Sequence, residues 1–326
     1  MTSPPGTPTI VPNRGTNMIF KANTALLAGA LILAPAAFAA PSPARAQVES
    51  PAPAKLAKYR ILMTLNGTAP NVRAILDGAK PAIIGYLEQR KGAPLTDADK
   101  ARLDAIAARV FPDAAEATVN RIAEIQSAGL SETEIDELTR IASTPAAKRF
   151  YTAKYAEQDT VAQASQDDMM GALMTLAHAV NEPKVAVPPL EPADGRTQKV
   201  LDLLKLEGSE AYESYITRHD EMDAIMAEIG KQVDLKTLTD DQRTRIERVK
   251  DEESVRMTQK SLRRSADLIG KALSDADIAG LTGDFAKPVS QKLVQVKFDG
   301  IQHKDEIEAA LRAALEKVTA AYEAGT

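Results

Sequence analysis

Leu130-Ser-Glu-Thr-Glu-Ile-Asp-Glu-Leu-Thr139 returns 143 positions later as Leu273-Ser-Asp-Ala-Asp-Ile-Ala-Gly-Leu-Thr282. The same shift carries Pro145 onto Pro288, Lys154 onto Lys297, and Leu95-Thr-Asp97 onto Leu238-Thr-Asp240. A constant offset over so many positions marks two copies of one folding unit. Nearer the start of each copy the offset is 141, pairing Gly67 with Gly208, Ile75 with Ile216 and Ile84 with Ile225. A two-residue insertion after Ile229 accounts for the change.

Both copies read as helical. Ile135, Leu138, Ile141 and Ala142 recur at three- and four-residue steps, as do Ile246 and Val249, and then Ile307, Leu311, Leu315, Val318 and Tyr322. That spacing puts each set on one helix face. Lys292–Phe298 alternates like a strand, but its counterpart Arg149–Tyr155 lies in a helical pattern, so both are predicted helical. Helix starts are written in the sequence. Ser131 with Glu134 and Ser274 with Asp277 have capping-box spacing, with Leu130/Ile135 and Leu273/Ile278 as hydrophobic staples. Thr96 with Asp99 and Thr239 with Gln242 mark another start in each copy. Thr144-Pro145 and Lys287-Pro288 place Pro at a first helical position, predicting long helices over about 145–180 and 288–323. Phe111-Pro112 predicts an interruption in the first copy, where Ser254-Val255 of the second runs on.

The segment from Leu130 to Phe150 resembles the signature of a secreted bacterial family known as a domain of unknown function (two-zero-five-nine). The family's pattern is a capped acidic helix start, an apolar stripe, then Ser-Pro and a helix opening with Gly and a basic residue. Here Thr144-Pro145 stands for Ser-Pro and Ala146-Ala147 for the small positions. The aromatic that usually precedes the Ser-Pro is Ala142 in the first copy and Phe285 in the second. The resemblance covers about 30 residues per copy. It implies an all-helical periplasmic protein and no particular reaction.

At 326 residues the chain suits two domains. Aromatic residues make up only 4%, with no Trp, so an aliphatic core is expected. Residues 1–46 read as an N-terminal extension and signal peptide: Met18-Ile-Phe-Lys21 is a short basic start, Ala25–Leu33 an apolar run, and Ala37-Phe-Ala39 and Ala44-Arg-Ala46 are small-residue cleavage positions. The apolar run falls short of the about 20 residues that span a bilayer. Residues 47–54 form a flexible leader, 55–180 helical repeat one, 181–195 a Pro-rich linker and 196–326 helical repeat two. The fold expected is all-α, two tandem homologous helical-bundle domains after a signal peptide, in the periplasm. Losing Arg14, Lys21 and Arg45 with the leader takes the net charge from −5 to −8. An acidic chain is a poor nucleic-acid binder. The absence of Cys rules out disulfides, a thiol nucleophile and Cys-held metals.

Candidate chemistry is thin. The histidines are His178, His219 and His303, and no phosphate-cradling Gly-rich loop or nucleophile elbow is present. Met170, Met174 and His178 fall at four-residue steps on one helix face. His219, Met222 and Met226 do likewise in the second copy. Thioether with imidazole suits Cu(I), although Met on an apolar stripe is ordinarily core filler. Phe150, Tyr151 and Tyr155 form the densest aromatic cluster, suited to a core or to a partner-binding groove. Acidic runs such as Asp251-Glu-Glu253, and Ser261-Leu-Arg-Arg264, read as solvated helix faces. The expected function is non-catalytic binding of an unknown protein or small ligand, with no catalytic residues, no cofactor and no membrane span after cleavage. Two other readings stay open: a hydrolase with a site between the repeats, and a periplasmic copper-binding protein.

Overall fold

The computed structural model describes residues 51–156 and 158–325. The signal-peptide segment 1–46 and the first half of the leader, 47–50, lie outside the described residues. Among the described residues there are helices and no strands. The first copy supplies α1 (Pro53–Leu65), α2 (Thr68–Gly78), α3 (Lys80–Lys91), α4 (Asp97–Ala128), α5 (Glu132–Ala142), α6 (Pro145–Lys154) and α7 (Gln158–Asn181). The second supplies α8 (Gly195–Glu207), α9 (Ser209–Ile216), a π turn (Thr217–Glu221), α10 (Met222–Gln232), α11 (Asp240–Ala272), α12 (Asp275–Phe285), α13 (Pro288–Asp299) and α14 (Lys304–Glu323). The connector from α10 to α11 is two residues longer than that from α3 to α4, which is the insertion inferred from the change of offset.

The helix starts form as their sequences dictate. Ser131, Ser274 and Thr96 each accept from the backbone N–H three residues on, while Glu134, Asp277 and Asp99 accept from the cap's own N–H. Thr239 and Gln242 exchange the same pair of bonds. Each such cap contributes about 1 kcal/mol. Leu130, Ile135, Leu273 and Ile278, the staple residues, are all buried. Gly67 and Gly208 both adopt a positive φ, 79° and 93°, at equivalent bends. At Gly67 a side chain would also meet the Tyr155 ring, whose nearest atom lies 2.3 Å from where a Cβ would stand. Glycine is required there twice over.

Two expectations are corrected. Pro112 does not interrupt: α4 runs through it. A proline inside a helix costs about 3 kcal/mol, and here the fully buried Phe111 beside it and the packing of α1, α2 and α14 along α4 offset that cost. The long helices expected over 145–180 and 288–323 are both broken, at Tyr155 and at a 3-10 turn over Gly300–His303. Each break lets the last helix of a copy turn away from its own predecessors.

Where those last helices go is seen in the two compact units of the chain. One unit holds residues 51–156 and 272–325, the other 158–271. In the first unit α14, the last helix of copy two, packs along α4 of copy one. Arg102 on α4 donates to the carbonyl of Tyr322 at the end of α14, at 2.5 Å. In the second unit α7, the last helix of copy one, lies beside α11 of copy two. There Arg245 donates to the carbonyl of Ala179 at 2.5 Å. Arg245 is Arg102 shifted by 143, and Tyr322 is Ala179 shifted by 143. Each of these two helices thus packs in the unit that holds the opening helices of the other half of the chain, and each is held there by an arginine, the two contacts lying 143 positions apart in sequence. A second reciprocal pair lies within the first unit. Arg149 on α6 meets Asp277 on α12 at 2.6 Å, and Lys292 on α13 meets Glu134 on α5 at 2.7 Å. These are again one contact made twice. Lys292 and the Ser131 N–H hold the Glu134 carboxyl down at about 2.

Candidate functional site

The sequence match supplies a comparison: a buried position can be set against the residue 141 or 143 positions away. Leu62, Met63, Leu103 and Ile106 of the first unit correspond to Leu203, Leu204, Ile246 and Val249 of the second. All eight are apolar and buried. Elsewhere the correspondence fails, in both directions: buried Ile229 and Ile269 of the second unit answer to Glu88 and Gln126 of the first. Val72, Leu76, Ala79, Phe111, Ala115 and Leu311 are buried apolar residues of the first unit. Their counterparts in the second unit are Glu213, Thr217, Asp220, Ser254, Thr258 and Asp168. Val110 likewise corresponds to Glu253. The second unit has traded part of an apolar core for a polar one.

The polar side chains have not moved to the surface. Glu253 is 0% exposed, Thr217 1%, and Ser254, Thr258 and Asp168 are all buried. The π turn falls at this place and only in this copy among the described residues, carrying Thr217 at its start and Glu221 at its end. Such turns interrupt the regular ladder and recur at functional sites. Asp168 on α7 is matched by two cations of α11, Lys260 and Arg264, each at 2.6 Å. Glu253, Met257, Lys260 and Arg264 fall at spacings of four, three and four, so they share one stripe of α11. Asp251-Glu-Glu253 and Ser261–Arg264, read from sequence as solvated, thus contribute Glu253 and Arg264 to the interior.

Several of these groups lack hydrogen bonds. Both Glu253 carboxylate oxygens, Thr217 Oγ1 and Thr258 Oγ1 have none. Arg256 Nε lies 3.4 Å from Glu253, near enough to attract but not in hydrogen-bond geometry. A buried polar group left unbonded costs about 1–3 kcal/mol, and more when charged.

Glu221 is half-buried, and the desolvation of its carboxyl, with the carboxyl of Glu213 next in effect, pushes its pKa from 4.5 to about 7. Asp168 and Asp220 add to the rise. The Thr217 hydroxyl lies close enough to oppose it, yet outside good hydrogen-bond geometry. The consequence for stability has a definite sign. Between the unfolded value near 4.5 and the folded value near 7, only the folded chain keeps the proton. Stability from this group therefore falls as pH rises through that window, by at most about 3 kcal/mol, and is level above it. Urea unfolding at pH 5 and pH 7.5 is expected to show this loss in the native chain. Glu221→Gln should remove that part of the slope; an unchanged slope would show Glu221 titrating normally.

The residues singled out from sequence lie as follows. Phe150 and Tyr151 are buried and stack edge-on, with ring centres 5.1 Å apart, and Phe150 meets Phe285 of α12 at 5.4 Å. Tyr155 ends α6 and covers Gly67, with Lys154 over its ring. Met170 is half-buried on α7, and Met174 and His178 are exposed. His219 is exposed in the π turn with its ring 4.6 Å from that of Tyr215, while Met222 is buried and Met226 half-buried on α10. His303 is in the first unit, 3.5 Å from Glu306. Among the described residues no three His, Asp or Glu side chains gather in an arrangement able to hold a metal ion. No helix among them is long and apolar enough to cross a membrane. The polar core was missed from sequence, although aligning the copies sets Phe111 against Ser254 and Leu76 against Thr217. No family model, curated protein or solved structure matches the chain.

Proposed function

We propose that this chain is an exported, periplasmic, non-catalytic binding protein, and that the polar core of the 158–271 unit is where it binds. On this reading residues 1–46 are removed on export, and the chain belongs with the secreted helical family that its Leu130–Phe150 segment resembles. One observation supports the binding role above the others. Two stretches of sequence match at a near-constant offset, and at several matched positions the first is apolar where the second is polar, buried and under-bonded. The apolar version shows that the bundle does not need those polar groups in order to fold. Groups that cost stability without serving the fold are the ones function retains. An acidic surface and an aliphatic core both suit a soluble carrier or sensor of a small molecule.

The test is a thermal-shift panel of small cationic, neutral and anionic molecules. The native chain is compared with a Thr217→Leu/Glu253→Val variant that restores the residue types of the first copy. At least one class is expected to raise the melting temperature of the native chain and not that of the variant. A panel that shifts neither, or shifts both alike, contradicts a binding role for this core.

A further inference from the structure

We infer that Met170, Met174 and His178 form a Cu(I)-binding site on the solvent face of α7. None of the three belongs to the polar core, so this site and the core can each fail alone. Two Met/His stripes stand out in the sequence, and the structure separates them. In the second, Met222 is fully buried while His219 is exposed against the Tyr215 ring, so that stripe does not present its donors together at the surface. The α7 stripe does. Met174 is 50% exposed, His178 is exposed and Met170 is half-buried. Among the described residues no other methionine is exposed, and Met63, Met169, Met222 and Met257 are all buried. Methionine ordinarily fills core gaps, and Met174 fills none.

The helix itself gathers the donors. α7 is continuous from Gln158 to Asn181. Positions 170, 174 and 178 therefore stand one above another, each about 5–6 Å from the next at Cβ. Thioethers turn on three rotatable bonds and reach across one helical turn. Beside them Gly171 carries no side chain, and a Cβ placed there would meet nothing within 4 Å, so the ground next to the sulfurs is open. The packed face of α7 is a different one, carrying the buried Asp168, Ala172, Leu176 and Ala179. On α14 the matching positions are Ala313, Lys317 and Ala321, with no soft donor. Ala313 and Lys317 are exposed. This face thus stays outside the packing on both helices, and the fold requires neither sulfur nor imidazole there.

Donor softness then selects the ion. Thioether and imidazole suit Cu(I), whereas Mg, Ca and Mn prefer carboxylate, carbonyl and water oxygen. Cu(I) has a filled d shell, imposes no strict geometry and accepts few ligands, so one face of one helix can hold it. The lack of a three-membered His, Asp or Glu cluster among the described residues concerns harder ions.

The experiment is anaerobic titration of the full chain with Cu(I), kept reduced by ascorbate, against the coloured Cu(I) chelator bicinchoninate. The chain is expected to withdraw a single Cu(I) from the chelator. Losing even an outer partner of a metal ligand costs about 10–100-fold in affinity, so Met174→Leu and His178→Ala should each weaken binding by roughly that factor or more. His178→Met keeps a soft donor and should retain most of the affinity, which a purely structural histidine would not predict. Met174 and His178 are exposed, so these variants should melt with the native chain. A chain that takes no Cu(I) from the chelator would overturn the site. So would copper held as tightly by Met174→Leu and His178→Ala as by the native chain, or copper lost in His219→Ala and kept in both α7 variants.

Discussion

Replacing Phe150 by Ala is expected to lower the unfolding free energy by about 3–5 kcal/mol. Phe150 is fully buried, and its ring packs edge-on against Tyr151 of its own helix and Phe285 of α12. Removal forfeits the transfer energy of the ring and leaves a hole that α6 and α12 cannot both close. The chemistry of the pair is that of edge-to-face aromatics, worth about 0.5–1.5 kcal/mol beyond burial alone. Phe285→Leu should cost less, and the Phe150→Ala/Phe285→Leu double variant less than the sum of the two, because the same contact is lost only once. Urea denaturation measures all three. A loss under about 1 kcal/mol for Phe150→Ala would show that the aromatic cluster is exposed and not part of this core. Because Phe150 comes from copy one and Phe285 from copy two, a large coupling also reports that the copies are knitted together within the first unit.

The second large effect has the opposite sign. Replacing the pair together, Glu253→Val with Arg256→Met, is expected to stabilise the chain by about 1–4 kcal/mol, the range seen when a buried ion pair gives way to apolar side chains of similar size. The carboxylate is wholly buried, neither oxygen is hydrogen-bonded, and Arg256 approaches only to 3.4 Å. Valine is what the first copy carries at the equivalent position, Val110. Thr217→Leu, copying Leu76, should add a smaller gain. Few substitutions raise the stability of a natural protein by this much, and those that do commonly lie at sites held for function. Calorimetric melting measures the gain: the Glu253→Val/Arg256→Met variant should melt higher than the native chain. Destabilisation of that variant would show that the pair serves the fold after all.

Much of the local structure was legible in the sequence. Ser131, Ser274, Thr96 and Thr239 announced their helices because an N-cap is a short-range device, needing only a hydroxyl and an acid three residues apart. Gly67 and Gly208 were legible as a matched pair, but not as bends. What periodicity does not carry is the identity of the surface a helix face meets. The stripe Leu311, Leu315, Val318, Tyr322 says that α14 is buried on one side, and nothing in it distinguishes α11 of its own copy from α4 of the other. Arg102 and Arg245 look like ordinary surface arginines until the carbonyls they cap, Tyr322 and Ala179, are seen to be equivalent. Pro112 was misread because a breaker signal is local, whereas the packing that overrides it is not.

The polar core was hidden for a related reason. Lys250-Asp-Glu-Glu-Ser254 is a charged run, and a charged run is ordinarily solvated. Its third acid is buried because α11 turns that one position inward, toward the stripe that also carries Met257 and Lys260. Composition cannot report such an exception. The duplicated counterpart can, since Val110 and Phe111 occupy the same turns of α4. A repeat protein therefore carries information about function in the places where its copies disagree, as well as about fold in the places where they agree.

Reciprocal exchange of the last helices underlies both the architecture and the site, because Asp168 reaches the second unit only on α7. The direct test is to place a protease cleavage sequence within 188–193 of the full chain, cut it, and pass the product through a sizing column in native buffer. Each piece then carries the helix that completes the other's bundle. The two pieces are expected to elute together as one species and to separate only in denaturant. Pieces that part freely in native buffer, each folded and helical, would show that each copy closes on its own last helix and would contradict the exchange.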